Sequence, residues 1–385
     1  MRIKIGFVAG VLLAVLSLAC LLSSRMIEVK TERGATAKAS NRVAIKISSA
    51  PLHSAWRISA PTSFNNLTIF SVVTDEPASS AEFITLGEGL RSGKVIITEL
   101  GANGRSRRVR RTQRFNDDAE VNKLALTNRS GKLLVLIAGE LIIGGKQDRI
   151  VGHDCIIGSS NKPVSLDVFC VEHGRWSGEA SFGQSQSVTA RRGSNGGGGS
   201  ASAGLTMMEA VAAPKVRASA QADKSQSEVW SKVAEVQTEN AVVTASGDLT
   251  SVYRDKRVAS KASSYERAFK TRFSANNVIG VVVAVSGRII SADVFANHSL
   301  FQAYWPKLLK SYVLEAMNTP QKNHQEISRS EAESYLSRVD GESASDGEQG
   351  VYKLAENQSS KEASFELEAT RKKPMLVHFN RVSKQ

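Results

Sequence analysis

The chain has 385 residues, a formal net charge of +13 and a hydrophobic content of 41%. This length allows one large domain or two average ones, and the hydrophobic content is sufficient for a sizeable core. The three cysteines, Cys20, Cys155 and Cys170, exclude a dense disulfide framework. The excess of positive charge favours anionic surfaces as partners.

Residues 1–25 resemble an export signal. Arg2 and Lys4 form a basic start, and the stretch from Ile5 to Ser24 carries no charge. The small residue before Cys20 makes the segment similar to a bacterial lipobox, in which the cysteine is lipidated. Simple cleavage and a retained membrane anchor are the alternatives. The sequence therefore predicts an exported cell-envelope protein that contacts the membrane through its N-terminus, with Cys20 as the lipidation site.

Residues 26–60 are polar and are predicted to form a tether. Residues 61–381 are predicted to form a single domain with a flexible Gly/Ser-rich insertion at 193–204. Four stretches rich in β-branched residues and bounded by Gly, Asp or Pro are predicted as strands. They are Leu67–Val73, Phe83–Leu90, Lys94–Leu100 and Pro163–Val171.

Turn residues between apolar runs predict two hairpins, one across Asn128–Gly131 and one around Ser286-Gly287. Helical spacing predicts a helix over Lys224–Asn240 and a second one over Ser299–Met317. The main part of the second helix is predicted to begin at Pro306, because proline is poorly tolerated inside a helix. Three closing strands follow residue 350. The pattern indicates an α+β fold, a mostly antiparallel β-sheet scaffold with a few amphipathic helices.

A glycine pair followed by polar and charged residues comes directly after the apolar run Leu133–Ile143. Glycines let the backbone turn sharply and approach a ligand, and Lys and Arg side chains can hold a phosphate or carboxylate. The spacing is not that of a phosphate loop. The alternative is a solvated hairpin exit. The residues are Gly144, Gly145, Lys146, Gln147, Asp148 and Arg149.

A second group of polar residues follows the strand that ends near Val171. Glu172 and His173 are candidates for acid–base chemistry, Arg175 for holding an anion and Trp176 for stacking. Cys170 and His173 have a metal-like spacing, but no second ligand pair is evident, so neither a metal nor another cofactor is predicted. The alternative is a buried cysteine beside a histidine that Glu172 satisfies.

Six arginines occur between Arg105 and Arg114. Such a run suggests nucleic acid in a cytoplasmic protein, but it lacks interleaved aromatic residues, and export makes nucleic acid an unlikely partner. An anionic lipid or envelope polymer fits the predicted tether better, and a solvated loop is the alternative. The sequence gives no indication of oligomeric state.

Four motifs together resemble one family. They are GELIIGGKQDRIVGHD, LDVFCVEHGRW, SEVWSKV and the long stretch that begins at Gly280. The chain is similar to the ARG and Rhodanese-Phosphatase-superfamily-associated protein domain from about Thr68 to about Phe379. That family has no settled activity, so the resemblance implies a domain identity and a set of site residues. By motif position these are Glu140, Gly144 to Arg149, Cys170 and Glu172 to Trp176.

Two functions follow as expectations. The first is a binding or accessory module in which Lys146, Arg149 and Arg175 present a cationic pocket to an anionic small molecule or envelope component. The alternative is a hydrolase-like enzyme with Glu172 or His173 as the acid–base group and Lys146 and Arg149 as anion stabilisers.

Glu140 and Asp148 complete the set of catalytic candidates. We predict that 144–149 and 172–176 lie side by side and form one pocket. Convergence of Glu140, Asp148 and His173 would favour the enzyme.

Overall fold

The computed structural model describes residues 53–76, 82–100, 122–145, 147–174, 181–182, 209–320, 326–371 and 373–384. The predicted signal and most of the predicted tether lie outside these residues, as do the arginine run and the 193–204 insertion. None of the helices in the described ranges combines the length and hydropathy that crossing a bilayer requires.

The described residues form strands in three sheets. The strands are β1 Arg57–Ile58, β2 Thr62–Phe64, β3 Leu67–Val73, β4 Phe83–Thr85, β5 Val95–Glu99, β6 Lys123–Asn128, β7 Leu133–Leu136, β8 Leu141–Ile142, β9 Arg149–Val151, β10 Cys155–Ile157, β11 Val164–Cys170, β12 Ser181–Phe182, β13 Val278–Val285, β14 Arg288–Phe295, β15 Glu342–Glu348, β16 Tyr352–Gln358, β17 Glu362–Ala369 and β18 Met375–Ser383. The helices are α1 Leu86–Arg91, α2 Pro214–Gln221, α3 Gln226–Glu239, α4 Thr250–Arg254, α5 Lys256–Phe269, α6 His298–Asn318 and α7 Arg329–Ser334.

The largest sheet has nine strands in the order β1-β3-β13-β14-β18-β17-β16-β15, with β2 added on β3. Its strands pair antiparallel. The predicted hairpin around Ser286-Gly287 is confirmed as β13–β14, and both turn residues have positive φ values of 48° and 75°. Such turns match the twist of the strands they join. The three predicted closing strands are confirmed as β16, β17 and β18.

The other two sheets have the orders β12-β5-β6-β11-β9-β8 and β10-β7-β4. Among the described strands, β4 and β7 pair in parallel and the remaining pairs are antiparallel. The predicted hairpin across Asn128–Gly131 is therefore wrong, because β6 and β7 belong to different sheets. The Asn128 side chain donates to the carbonyls of Lys132 and Ile157, both at 2.9 Å, and so holds the crossing between the sheets.

The predicted strand Phe83–Leu90 is also wrong beyond Thr85, where α1 begins. Thr85 and Glu88 form a reciprocal capping box, a strong signal for a helix start. A Cβ at Gly89 would lie 2.3 Å from the Val95 side chain, so only glycine lets α1 pack this closely on β5. Gly87 and Gly89 lower the helix propensity of α1. The capping box and the packing of Gly89 against β5 offset that cost.

The predicted helix over Lys224–Asn240 is confirmed as α3. The predicted start of the second helix at Pro306 is wrong, since α6 begins at His298 and contains Pro306. The Asn297 side chain accepts the N–H of Leu300 at 3.0 Å and fixes that start. Most of α6 is buried, and this packing outweighs the hydrogen bond lost at proline.

The main core lies between one face of the nine-stranded sheet and the helices α2, α3, α5 and α6. A smaller core covers the other face, where Tyr335 and Leu336 next to α7 pack against Phe70 and Val282. Strand β15 was not predicted because its sequence, ESASDGE, is polar. It is an edge strand that joins the sheet through its backbone. The predicted α+β fold with mostly antiparallel sheets is confirmed.

Candidate functional site

Two of the polar segments predicted from the sequence lie next to each other. Strand β9 pairs with β11, so that Arg149 faces Cys170, and the Val171 N–H donates to the Asp148 carbonyl at 3.0 Å. The Asp148 N–H in turn donates to Glu172 Oε2 at 3.0 Å. The described parts of 144–149 and 172–176 are therefore adjacent, as predicted. Lys146, Arg175 and Trp176 lie outside the described residues.

The glycine pair makes the turn between β8 and β9. Gly144 and Gly145 have φ values of 102° and 64°, a region that favours glycine. The Gly144 N–H donates to Asp148 Oδ1 at 2.9 Å, so the loop fixes the orientation of its own carboxylate.

A third segment, residues 244–250, completes the site and was not predicted from the sequence. Asp248 forms an antiparallel bridge with Glu172, and the Leu249 N–H donates to the Val171 carbonyl at 2.9 Å. The Gly174 N–H donates to the Ser246 carbonyl at 2.8 Å. A Cβ at Gly174 would lie 3.0 Å from the backbone of this segment, which explains the glycine.

Asp248 is held at the start of α4. It accepts the Ser251 N–H at 2.6 Å and the Ser246 hydroxyl at 2.9 Å. Burial alone would raise the pKa of Asp248, but hydrogen bonds from Thr250, Ser246 and the Ser251 backbone outweigh it and lower this pKa. Asp248 is therefore an anion at neutral pH.

Thr250 lies between two carboxylates. Its Oγ1 is 2.9 Å from Asp148 Oδ2 and 2.9 Å from Asp248 Oδ1. A threonine hydroxyl has one proton, so it can donate to only one of the two oxygens at a time. The two carboxylates thus share one hydroxyl group.

These residues surround a cleft of about 300 Å³. Asp148 and Glu172 are almost fully buried, whereas Arg254, the last residue of α4, is exposed. Among the described lining residues, three are carboxylates and one is a guanidinium. We call this the polar cleft; it is lined by Ile143, Gly144, Asp148, Glu172, Asp248, Thr250 and Arg254.

Arg149, predicted to bind a ligand, is completely buried in β9. Its guanidinium donates to the Gln147 carbonyl and lies 3.9 Å from the Glu99 carboxylate on β5. It is not among the lining residues of the polar cleft. The ligand-binding role of Arg149 stays a prediction, while the contact with Glu99 gives the side chain a function inside the sheet.

Gln147 and Cys170 also lie inside the protein rather than at an open site. The Gln147 side chain donates to the Glu172 carbonyl at 2.9 Å and lies 3.1 Å from Cys170 Sγ. Burial raises the pKa of Cys170 to about 11, so the group is a neutral thiol at pH 7. A neutral buried thiol is a poor nucleophile.

The catalytic candidates Glu140, Asp148 and His173 contact different partners. Glu140 is fully buried and accepts from the Lys307 ammonium at 2.8 Å. His173 is exposed and packs edge-on against Trp230 with 4.7 Å between ring centroids. Asp148 accepts from the loop backbone and Thr250, as described above. No set of three His, Cys, Asp or Glu side chains in the described ranges is arranged to hold a metal ion.

A buried network of ionisable side chains was also not predicted from the sequence. His378 on β18 bonds to Asp154 at 2.6 Å and to Asp293 at 3.2 Å. Arg217 on α2 donates to Asp293 at 2.7 Å, and Tyr312 on α6 donates to the same carboxylate. The network thus joins two adjacent strands of the large sheet to two helices, and all five side chains are buried.

The charged groups of this network shift one another's pKa values. Burial alone would raise the pKa of Asp293, but Arg217 and His378 outweigh it and lower this pKa to about 2. Burial would lower the pKa of His378, but the charges of Asp154 and Asp293 raise it. For Asp293 and His378, the sequence signal is a single ionisable side chain within an apolar strand.

The fold and the site together define an α+β domain with a preformed polar cleft beside β9 and β11. The family profile of the ARG and Rhodanese-Phosphatase-superfamily-associated Protein domain matches residues 55–382. The chain belongs to this family, which confirms the resemblance seen in the motifs. No curated protein and no solved structure gives a match to the chain.

Proposed function

We propose that the chain is a binding module and that the polar cleft binds a small zwitterionic molecule such as a free amino acid. The observation that carries this proposal is the composition of the cleft, in which the described lining residues include three carboxylates and one guanidinium around about 300 Å³. An ammonium group of the ligand would lie near Asp148, Glu172 and Asp248. Its acidic group would contact Arg254.

The concentration of carboxylates supports the site for the ammonium group. Carboxylates on one side of a cleft attract a cation and offer it several acceptor oxygens. An ammonium has three N–H donors, and charge-assisted hydrogen bonds to carboxylates are roughly twice as strong as neutral ones. The Thr250 hydroxyl lies between the two aspartates, so acceptor oxygens from two segments of the chain lie at this edge of the cleft.

Arg254 supports the site for the acidic group. It is exposed at the end of α4, and its guanidinium can bind a carboxylate or phosphate through two parallel hydrogen bonds. The ligand therefore keeps the anionic group expected from the sequence, but a different arginine, Arg254, binds it. The anion-binding roles of Lys146, Arg149 and Arg175 remain predictions.

The hydrogen bonding of the acid–base candidates supports binding over hydrolysis. Asp148 is fixed by Gly144 and Thr250, and Glu172 is fixed by the Asp148 N–H. His173 packs on Trp230 instead of contacting these carboxylates. Side chains held in this way form a rigid recognition site, which reduces the entropy lost on binding.

Export and membrane attachment remain part of the proposal. They are supported by the uncharged stretch Ile5–Ser24 and by Cys20. The protein would then expose its cleft outside the cytoplasm.

Calorimetric titration tests the ligand class. Each standard amino acid is compared with the amine that lacks its carboxylate and with the acid that lacks its amine. We expect at least one amino acid to bind about tenfold more tightly than either analogue, equivalent to roughly 1.4 kcal/mol. In Arg254→Ala the amino acid should bind no better than the amine, and in Glu172→Gln no better than the acid.

Glu76→Gln, which removes an exposed carboxylate outside the cleft, is the control and should bind like the native protein. If the native protein binds the acids more tightly than the amino acids, the cleft is an anion site and the proposal is wrong.

A further inference from the structure

A second cavity, of about 320 Å³, lies between α5 and α6. Its volume is within the range of small-molecule sites. Val258 and Ala262 line it from α5, and Leu314 and Met317 line it from α6. We call it the apolar cavity, because most of its walls are aliphatic.

Small side chains create this space. Ala210, Ala259 and Ala262 all face the cavity, at positions where larger aliphatic residues would fill it. The space is open to solvent on the side where Ala259 is exposed, and buried side chains such as Ala262 and Leu314 form its inner wall.

The charges of the lining residues indicate what kind of molecule fits. Glu266 comes from α5 and Lys310 from α6, and their formal charges cancel. The two charges together give the site no net preference for a cation or an anion, and an uncharged apolar ligand gains from the aliphatic walls.

The apolar cavity and the polar cleft share α4. Thr250 and Arg254 line the polar cleft, and Tyr253, between them in sequence, lines the apolar cavity. The Tyr253 hydroxyl donates to the Val211 carbonyl at 2.9 Å. An occupant of the cavity would therefore pack against the same five-residue helix that carries Arg254.

We propose that the apolar cavity is a second ligand site for an uncharged apolar molecule, and that its occupation changes the affinity of the polar cleft by restraining α4. The second half rests on the function proposed above. A helix of five residues is not stable alone, so the contacts of Tyr253 hold α4 together with those of Thr250 and Asp248. A firmer α4 presents Arg254 in one position and reduces the entropy that a cleft ligand must remove.

Binding is measured directly with the uncharged fluorophore N-phenylnaphthylamine and the full chain. We expect saturable binding that Ala262→Leu and Ala259→Leu weaken about tenfold or more. Ala259 is exposed at its outer side, so that variant folds even if Ala262→Leu does not. Ala234→Leu, on the exposed face of α3, is the matched control and should bind like the native protein. Equal binding by all four proteins overturns the second site.

Coupling is measured by amide hydrogen exchange of residues 250–254, which needs no cleft ligand. The fluorophore should slow exchange there in the native protein. Tyr253→Phe should still bind it but show a smaller effect, because the bond to Val211 is lost. Unchanged exchange in the fluorophore-bound native protein overturns the coupling. If exchange slows but no amino acid binds, the cleft proposal fails and the second site stands.

Discussion

The hydroxyl of Thr250 joins α4 to the carboxylate of Asp148, 102 positions earlier in the chain, at 2.9 Å. The same hydroxyl lies 2.9 Å from Asp248 at the start of its own helix. Together with the backbone hydrogen bond from Leu249 to Val171, this contact holds α4 against the β8–β9 loop and so helps to set the width of the polar cleft.

Thr250→Val should destabilise the protein, because it removes the only proton that this side chain places between the two aspartates. A buried polar group that loses its partner costs about 1–3 kcal/mol. Urea unfolding at pH 7 measures the loss. Thr238→Val is the control, since that hydroxyl bonds to a carbonyl on the exposed surface of α3. Equal losses in the two variants would show that the Thr250 contact has no special role.

Arg149→Ala should lower stability by roughly 3–5 kcal/mol, because it leaves the buried Glu99 carboxylate without this cation. The ligand-binding role predicted for Arg149 implies instead a nearly unchanged melting point and a lost ligand response. Replacing both residues, as Arg149→Met with Glu99→Leu, should recover much of the stability, since an apolar pair often substitutes for a buried ion pair. Urea unfolding distinguishes the two expectations. A stable Arg149→Ala protein would restore the ligand-binding role.

Prediction from the sequence succeeds where strands that are neighbours in the sequence also pair with each other in the structure. The β13–β14 hairpin follows from two apolar runs separated by Ser286-Gly287, and its strands do pair with each other. The same kind of pattern around Asn128–Gly131 failed, because a turn between apolar runs does not reveal whether the second strand stays in the sheet. Phe83–Leu90 failed for a different reason, since the capping box at Thr85 and Glu88 was read as part of a strand.

The candidate site was predicted only in part, for a physical reason. Asp148 and Glu172 are adjacent because β9 and β11 pair, and both follow conspicuous apolar runs. Asp248, Thr250 and Arg254 reach the same cleft through a distant segment, whose only local signal is the polar SGDLTS stretch before a short helix. Asp293 and His378 were missed because a single ionisable residue in an apolar strand does not identify its partners.

Cys20→Ser tests the proposed membrane attachment. If Cys20 is lipidated, the variant should be found either in the soluble fraction or as an unprocessed precursor, because the acyl chains that hold the protein on the membrane are missing. Cell fractionation and intact-protein mass measure the outcome. Cys155→Ser, at a buried thiol of the folded domain, is the control for cysteine loss. Unchanged mass and fractionation of Cys20→Ser would contradict lipidation.

The buried network should make stability depend on pH at the acid end. The pKa of Asp293 is lowered from 3.8 to about 2 in the folded protein, so the ionised form contributes stability above pH 4. That contribution, about 2 kcal/mol from the size of the shift, is lost as the pH falls from about 4 to 2. His378 acts in the opposite sense. Its pKa is raised in the folded protein, so its contribution is complete below the unfolded value near 6.5 and declines as the pH rises through the folded value.

Asp293→Asn tests the loss of stability at acid pH, because asparagine keeps the shape of the aspartate side chain but cannot titrate. Its unfolding free energy should be lower at pH 7 and should fall less steeply than that of the native protein between pH 4 and 2. Urea unfolding across this range provides both slopes, with the exposed Asp340→Asn as the control. Parallel curves for the native protein and Asp293→Asn would mean that Asp293 does not carry this charge. Arg217, Tyr312 and His378 all bond to this one carboxylate, so the lower stability of Asp293→Asn at pH 7 would report the loss of contacts that join α2 and α6 to the sheet.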